Sequence, residues 1–141
     1  MNLFAESGAV LAWLLDEETA PKVRELLSGA EIIVASDLTL NECDRVLIRV
    51  VTVGELTEAE AADRRAQLST AASRWHVLRI AQEVADRARQ PFPGEPIRTL
   101  DAIHLASTLT ARSTIRGLNL LSLDDGVRNA ARRLGIEVLP H

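Results

Sequence analysis

Four acids interrupt patterns that would otherwise be apolar or loop-like. Glu6 directly follows the apolar run Leu3-Phe4-Ala5. Glu42 lies in a largely apolar helical stretch, a turn and a half beyond Ser36. Asp101 falls just after a proline-rich segment. Asp124, with Asp125 beside it, follows Leu120-Leu121-Ser122-Leu123. Carboxylates sharing one pocket repel and raise one another's pKa values unless a cation sits among them. Hard divalent ions with oxygen ligands meet that need, and Mg²⁺ takes a few carboxylates together with waters and substrate phosphate. Such an ion acidifies water and neutralises a phosphodiester as it is attacked. The chemistry to expect is therefore Mg²⁺- or Mn²⁺-dependent hydrolysis of a phosphodiester. Asp101 and Asp125 also have a plainer account, because acids at helix N-termini are favoured by the macrodipole. That account does not cover Glu6 or Glu42.

The elements that must bring these acids together alternate along the chain. Leu3-Phe4-Ala5 reads as a strand, and Ala9, Val10, Trp13 and Leu14 recur at helical spacing from Ser7 onward. Pro21 opens a second helix and Gly29 ends it. Ile32-Ile33-Val34-Ala35 is a β-branched strand, and Ser36 or Asp37 caps the helix carrying Leu40, Val46, Leu47 and Val50. Gly54 interrupts that helix, and Thr57-Glu58-Ala59-Glu60 opens another. His76-Val77-Leu78 is a third strand, followed by a helix from Ala81 to Arg89. Residues 90–96 form a proline-rich loop, after which Thr99 is placed to cap a helix with Ile103 and Ala106 on its apolar side. Leu120 to Leu123 is the fourth strand, Asp124-Asp125 opens a helix ended by Gly135, and Ile136 to Leu139 is the last strand. Strands alternating with helices predict an α/β fold with a mainly parallel sheet covered on both faces. In such sheets sites form at the carboxyl ends of the strands, near a switch in strand order. Glu6, Glu42 and Asp124 then project toward one edge, and Asp101 joins them if its helix starts there.

Composition sets the outer limits. A length of 141 residues suits one domain over 1–141, and 47% hydrophobic with 26% charged residues suits a soluble globular chain. Cys43 is the single cysteine, which excludes an internal disulfide and a cysteine-based zinc site. No apolar run is long enough to span a membrane, and the N-terminus lacks the basic start of a secretory signal, so cytoplasmic residence is expected. The net charge is −4, but residues 1–63 hold 13 acids against 4 bases while residues 64–141 hold 7 acids against 12 bases. All of the bases except Lys22 are arginines. The total argues against coating nucleic acid through bulk charge but leaves room for a local arginine surface.

The motifs resemble those of the PIN-domain ribonucleases, especially the VapC-type toxins of bacterial toxin–antitoxin pairs. Glu6-Ser7-Gly8-Ala9-Val10-Leu11-Ala12-Trp13-Leu14-Leu15 is similar to the family's opening motif, and Leu38-Thr39-Leu40-Asn41-Glu42 to its second. Arg98-Thr99-Leu100-Asp101-Ala102-Ile103-His104-Leu105-Ala106 is the most specific match. Leu121-Ser122-Leu123-Asp124, followed by Ala130 to Ile136, is similar to the last motif. The resemblance implies a PIN-like three-layer α/β/α sandwich with a central, mainly parallel sheet of four to five strands. It implies a metal-dependent endoribonuclease with Glu6, Glu42, Asp101 and Asp124 as its acids. Ser7 and Ser122, with Asp125, would support them. It also implies an RNA substrate, a cognate antitoxin protein and a homodimer. One departure is Glu6, where the family usually has Asp; the extra methylene moves the carboxylate by about 1.5 Å. An alternative follows from that residue: a catalytically weak PIN domain that binds RNA or a partner without cutting.

Other residues admit two readings. His104, three residues after Asp101, reads as a buried histidine or one that supports the acids from behind, or else as a ligand or proton shuttle. Trp13 reads as core or as part of a partner contact, and Trp75 as core or as a base-stacking platform. Arg112, Arg116 and Arg128, with Arg132 and Arg133, cluster near the fourth strand and are candidates for holding RNA phosphates through bidentate bonds. A receiver-like signalling domain would want a lysine at the end of a late strand, and Lys22 lies between early elements.

Overall fold

The computed structural model describes residues 1–141. Five strands form one sheet: β1 (Asn2–Ala5), β2 (Ile32–Ser36), β3 (His76–Leu78), β4 (Leu118–Leu121) and β5 (Val138–Leu139). Their order is β3-β2-β1-β4-β5 and every pairing is parallel. Seven helices make the connections: α1 (Ser7–Leu14), α2 (Ala20–Gly29), α3 (Asp37–Thr52), α4 (Glu58–Ala72), α5 (Gln82–Ala88), α6 (Thr99–Thr114) and α7 (Asp125–Arg133). None is long and apolar enough to cross a membrane.

The alternation of side chains along a strand sorts the core into layers. In β1, Phe4 points into the cluster built by Leu105 and Ala106 of α6, Val84 of α5 and Ala130 of α7. Leu3 points to the other face and packs with Ala9 of α1 and with Val23 and Leu26 of α2. Ala5 shares that second face with Val10, Leu14, Cys43 and Leu68 from α1, α3 and α4. The sheet is thus sandwiched between helices on both sides, as the alternating pattern predicts.

Three local expectations shift. The fourth strand covers Leu118–Leu121 rather than 120–123, because it pairs from Asn2↔Leu118 onward and the polar Asn119 disguised its start. Ser122, Leu123 and Asp124 have left the strand and lead into α7. The last strand is shorter than the apolar run, only Val138–Leu139. Thr99 does not cap α6. It is the first helical residue, and Arg98 occupies the cap position without a side-chain bond.

Candidate active site

The chain leaves β1 toward β2 and β3, then crosses back to place β4 on the other side of β1. Helices connecting to opposite sides leave a crevice at the carboxyl ends of β1 and β4. Glu6 stands there directly after β1, anchored by its backbone N–H to the Leu121 carbonyl (3.0 Å). It is the N-cap of α1, and its carboxylate accepts from the Gly8 N–H (3.0 Å), the Ser7 hydroxyl (2.9 Å) and the Ser122 hydroxyl (3.1 Å). Only 5% of Glu6 is exposed. Gly8 makes this arrangement possible, since a Cβ there would stand 3.1 Å from Glu6 Oε2.

Glu42 reaches the same crevice from α3. The start of that helix is fixed by a reciprocal capping box between Ser36 and Thr39, whose hydroxyl also donates to the Ala5 carbonyl (3.2 Å). This places Glu42 Oε1 beside the Ser7 hydroxyl (3.0 Å) and the His104 Nε2. Burial would raise the Glu42 carboxyl, but the bonds from His104 and Ser7 and the His104 charge outweigh it and hold it below the usual range. A carboxylate has only acceptor oxygens, so His104 Nε2 carries the proton it donates. Ser7 has one hydroxyl proton for two carboxylates. That proton is shared between Glu6 Oε1 (2.9 Å) and Glu42 Oε1 (3.0 Å), while His104 Nε2 donates to Glu42.

Asp101 lies in the first turn of α6. Its carboxyl is pushed above the ordinary Asp value by burial first, then by the charges of Asp124 and Glu6, with a smaller push from Glu42 and a partial offset from His104. Asp124 caps α7 through the Val127 N–H (2.9 Å), and its own N–H donates to the Ser122 hydroxyl (3.2 Å). Asp101 and Asp124 line one open pocket with Gly126 and Arg98. The four acids therefore share one electrostatic field, and a hydrogen-bonded chain runs from Glu42 through Ser7, Glu6 and Ser122 to Asp124. No three His, Cys, Asp or Glu side chains are spaced to hold one ion together in this arrangement. Both Glu6 oxygens are engaged by the protein, and Glu42 presents only Oε2 without a bond.

The sequence of the PIN domain family matches residues 3–133, nearly the whole chain. The chain belongs to the PIN domain family. Solved structures agree on the fold. FitAcB from Neisseria gonorrhoeae is 16% identical with a TM-score of 0.73, covering 98% of this chain and 96% of that one. A sarcin–ricin-loop-cleaving VapC toxin from Mycobacterium tuberculosis is 14% identical with a TM-score of 0.67, covering 91% and 94%. A toxin–antitoxin complex from Klebsiella pneumoniae is 17% identical with a TM-score of 0.64, covering 99% and 97%. No curated protein matches significantly by sequence.

Within this PIN domain His104 is the buried, supporting histidine that its spacing from Asp101 suggests. It is 1% exposed, its Nδ1 has no partner, and its Nε2 also lies 3.3 Å from Ser7 Oγ and 3.9 Å from Glu6 Oε1. The only available signal was its spacing from Asp101. Asp125 is the exposed first residue of α7 and does not line the acidic pocket.

The arginine cluster does not assemble at the crevice. Arg112 donates to the Leu134 and Gly135 carbonyls (3.4 and 2.9 Å). Arg116 precedes β4, and its carbonyl accepts from the Asn2 side chain, so both lie at the amino edge of the sheet, opposite the acids. Arg128 is closer, but its guanidinium is occupied by the carbonyls of Ser122 (2.6 Å), Leu139 (3.3 Å) and Pro140 (2.6 Å). Partial burial, then the nearby charge of Arg132, lowers its pKa. Its role here is to tie the end of β5 to β4. A separate hollow, lined by Trp13, Leu27, Ile33 and Trp75 with Arg24 and Arg74, lies between α1, α2 and α4 and shares no residue with the acidic crevice.

Proposed function

We propose that this PIN domain is a Mg²⁺- or Mn²⁺-dependent endoribonuclease and acts as the toxin of a toxin–antitoxin pair in the cytoplasm. The observation that carries the reading is geometric: Asp101 and Asp124 line one open pocket beside Glu6 and Glu42, and no arginine or lysine is paired with any of the four. Burial first, and then the neighbouring carboxylates, raise the Asp101 carboxyl in agreement with that. The donors fit a hard divalent ion, because every acid offers carboxylate oxygen and two of them, Asp101 and Asp124, line the open pocket. Asp101 and Asp124 would hold the ion, with Glu42 Oε2 on the flank and Glu6 behind. A bound ion would supply Lewis acidity and charge neutralisation at the phosphodiester.

The chain's own groups perform the remaining tasks. Glu6 and the two serines fix the floor of the crevice. His104 holds Glu42 through one oxygen and leaves the other free. The descriptions of the structural neighbours as toxins and toxin–antitoxin complexes support an antitoxin partner, and the Trp13–Trp75 hollow is a surface for a partner that stays clear of the acids. A homodimer belongs to the same reading.

One observation favours the alternative, a PIN domain that binds RNA without cutting it: both oxygens of Glu6 already accept bonds from the protein. Cleavage of a mixed RNA pool with Mg²⁺, Mn²⁺ or EDTA separates the two. Cleavage with metal that stops in EDTA supports the nuclease. Metal-independent cleavage removes the metal mechanism, and binding without cleavage leaves the alternative standing.

A further inference from the structure

An acidic crevice repels the polyanion it is meant to receive, so cations must stand at the crevice itself. Arg112 and Arg116 lie at the far edge of the sheet, and Arg128 is occupied by carbonyls. Two other arginines are placed for the task. Arg98 lines the pocket of Asp101 and Asp124. Arg45, three residues after Glu42 and so on the same helical face, lines the adjoining groove with Glu42, Leu38, Val46 and Leu100. Both are exposed, and neither guanidinium takes part in any ion pair of the protein. By contrast, Arg24, Arg64 and Arg65 face acids, and Arg87 sits over the Phe92 ring.

Neighbouring residues of the first turn of α6 line the two hollows, Leu100 one and Asp101 the other. We infer that Arg98 and Arg45 each hold a backbone phosphate of an RNA laid across this turn, with the scissile phosphate on the Arg98 side. This inference rests on the nuclease reading and adds to it the residues that hold the substrate backbone at the crevice.

The test is steady-state cleavage of a single-stranded RNA oligonucleotide over a range of salt concentrations. The parent protein is compared with Arg98→Gln, Arg98→Lys, Arg45→Gln and the surface control Arg89→Gln. Arg98→Gln should raise KM by about 10-fold, consistent with loss of one charge-assisted phosphate contact. Arg98→Lys should recover part of that, and Arg45→Gln should raise KM several-fold with kcat kept. Each neutralisation should reduce the salt slope by about 0.7, the value per single-strand phosphate. The control should match the parent. If the parent cleaves while Arg98→Gln and Arg45→Gln keep its KM and salt slope, the inference is overturned and the nuclease reading stands. If the parent cleaves no RNA with metal present, the nuclease reading falls and takes this one with it.

Discussion

Replacing Asp101 by Asn changes stability and activity in opposite directions. The Asp101 carboxyl is raised by burial and by the charges of Asp124, Glu6 and Glu42. A folded-state pKa above the unfolded one means that the folded chain binds this proton more tightly. The associated stability is fully present below the ordinary Asp value of 3.8 and is lost as pH rises through the folded pKa. At neutral pH the ionised Asp101 therefore works against folding. Asn keeps the shape and removes the charge, so Asp101→Asn should be the more stable protein in EDTA.

Relieving a destabilised functional group contributes about 0.5–2 kcal/mol. With 141 residues the unfolding entropy is about 0.3 kcal/mol/K, so Tm should rise by about 2–7 °C at pH 7. The gap should close toward pH 3, where the parent carries the proton. Divalent ion reverses the ranking. A ligand at 100 times its Kd adds about 2.7 kcal/mol to the protein that binds it, or about 9 °C here. The parent should gain that and the variant much less. Metal-dependent RNA cleavage by the variant should fall at least about 100-fold, since charge stabilisation at a reacting centre commonly contributes that much. Circular dichroism melts from pH 3 to pH 8, in EDTA and in Mg²⁺, run beside a cleavage assay, read all of these. A variant that melts below the parent at pH 7 in EDTA, or that cleaves at the parental rate, refutes the reasoning.

Two further substitutions probe the supports of the site. Arg128→Gln removes a guanidinium bonded to three carbonyls, so stability should fall by about 2–4 kcal/mol and Tm by about 7–13 °C, while RNA affinity of the folded protein stays within about 2-fold of the parent's. Parental melting combined with lost RNA binding would return Arg128 to the RNA surface. Gly8→Ala sets a Cβ 3.1 Å from Glu6 Oε2 and displaces that carboxylate by a few tenths of an ångström. Helix propensity favours Ala by up to about 1 kcal/mol, so the fold should hold while cleavage falls by about 10-fold. Adding Glu6→Asp, which withdraws the carboxylate, should restore most of it; unchanged cleavage by Gly8→Ala alone would show that the Glu6 position does not matter.

The layers were legible because β-branched and apolar runs alternate with helical spacing, and Phe4 and Leu3 divide between the two faces as strand geometry requires. The acids were legible for the opposite reason. Glu6 and Glu42 break their local patterns, and a residue that breaks a pattern without a local gain marks a candidate site, which describes Glu42 better than Glu6, since Glu6 also caps α1. His104 was legible from its spacing to Asp101 as a buried histidine supporting the site, and it is that; its partner was not legible. Its partner Glu42 lies 62 residues away, a proximity that only the sheet crossover creates. The start of β4 was hidden by Asn119, and the true cap of α6 by a threonine of the preferred capping type.

The arginines show where charge arithmetic stops being useful. The second half of the chain holds 12 of the 16 bases and drew attention to residues 112–133 as an RNA surface. Folding scatters that surplus. Arg112 closes the end of α7, Arg128 closes the end of β5, and Arg116 lies at the wrong edge of the sheet. The two free arginines at the crevice come one from each half, Arg45 from the acidic half and Arg98 from the basic half. A parallel sheet collects residues by the direction in which strands and helices end, not by their position along the chain. Arg98 and Asp101 open the same helix and Arg45 follows Glu42 on another, so each cation is delivered to the crevice by the element that delivers an acid. Local spacing of an arginine three residues from a crevice acid is thus a better guide to the cations beside the crevice than the net charge of either half.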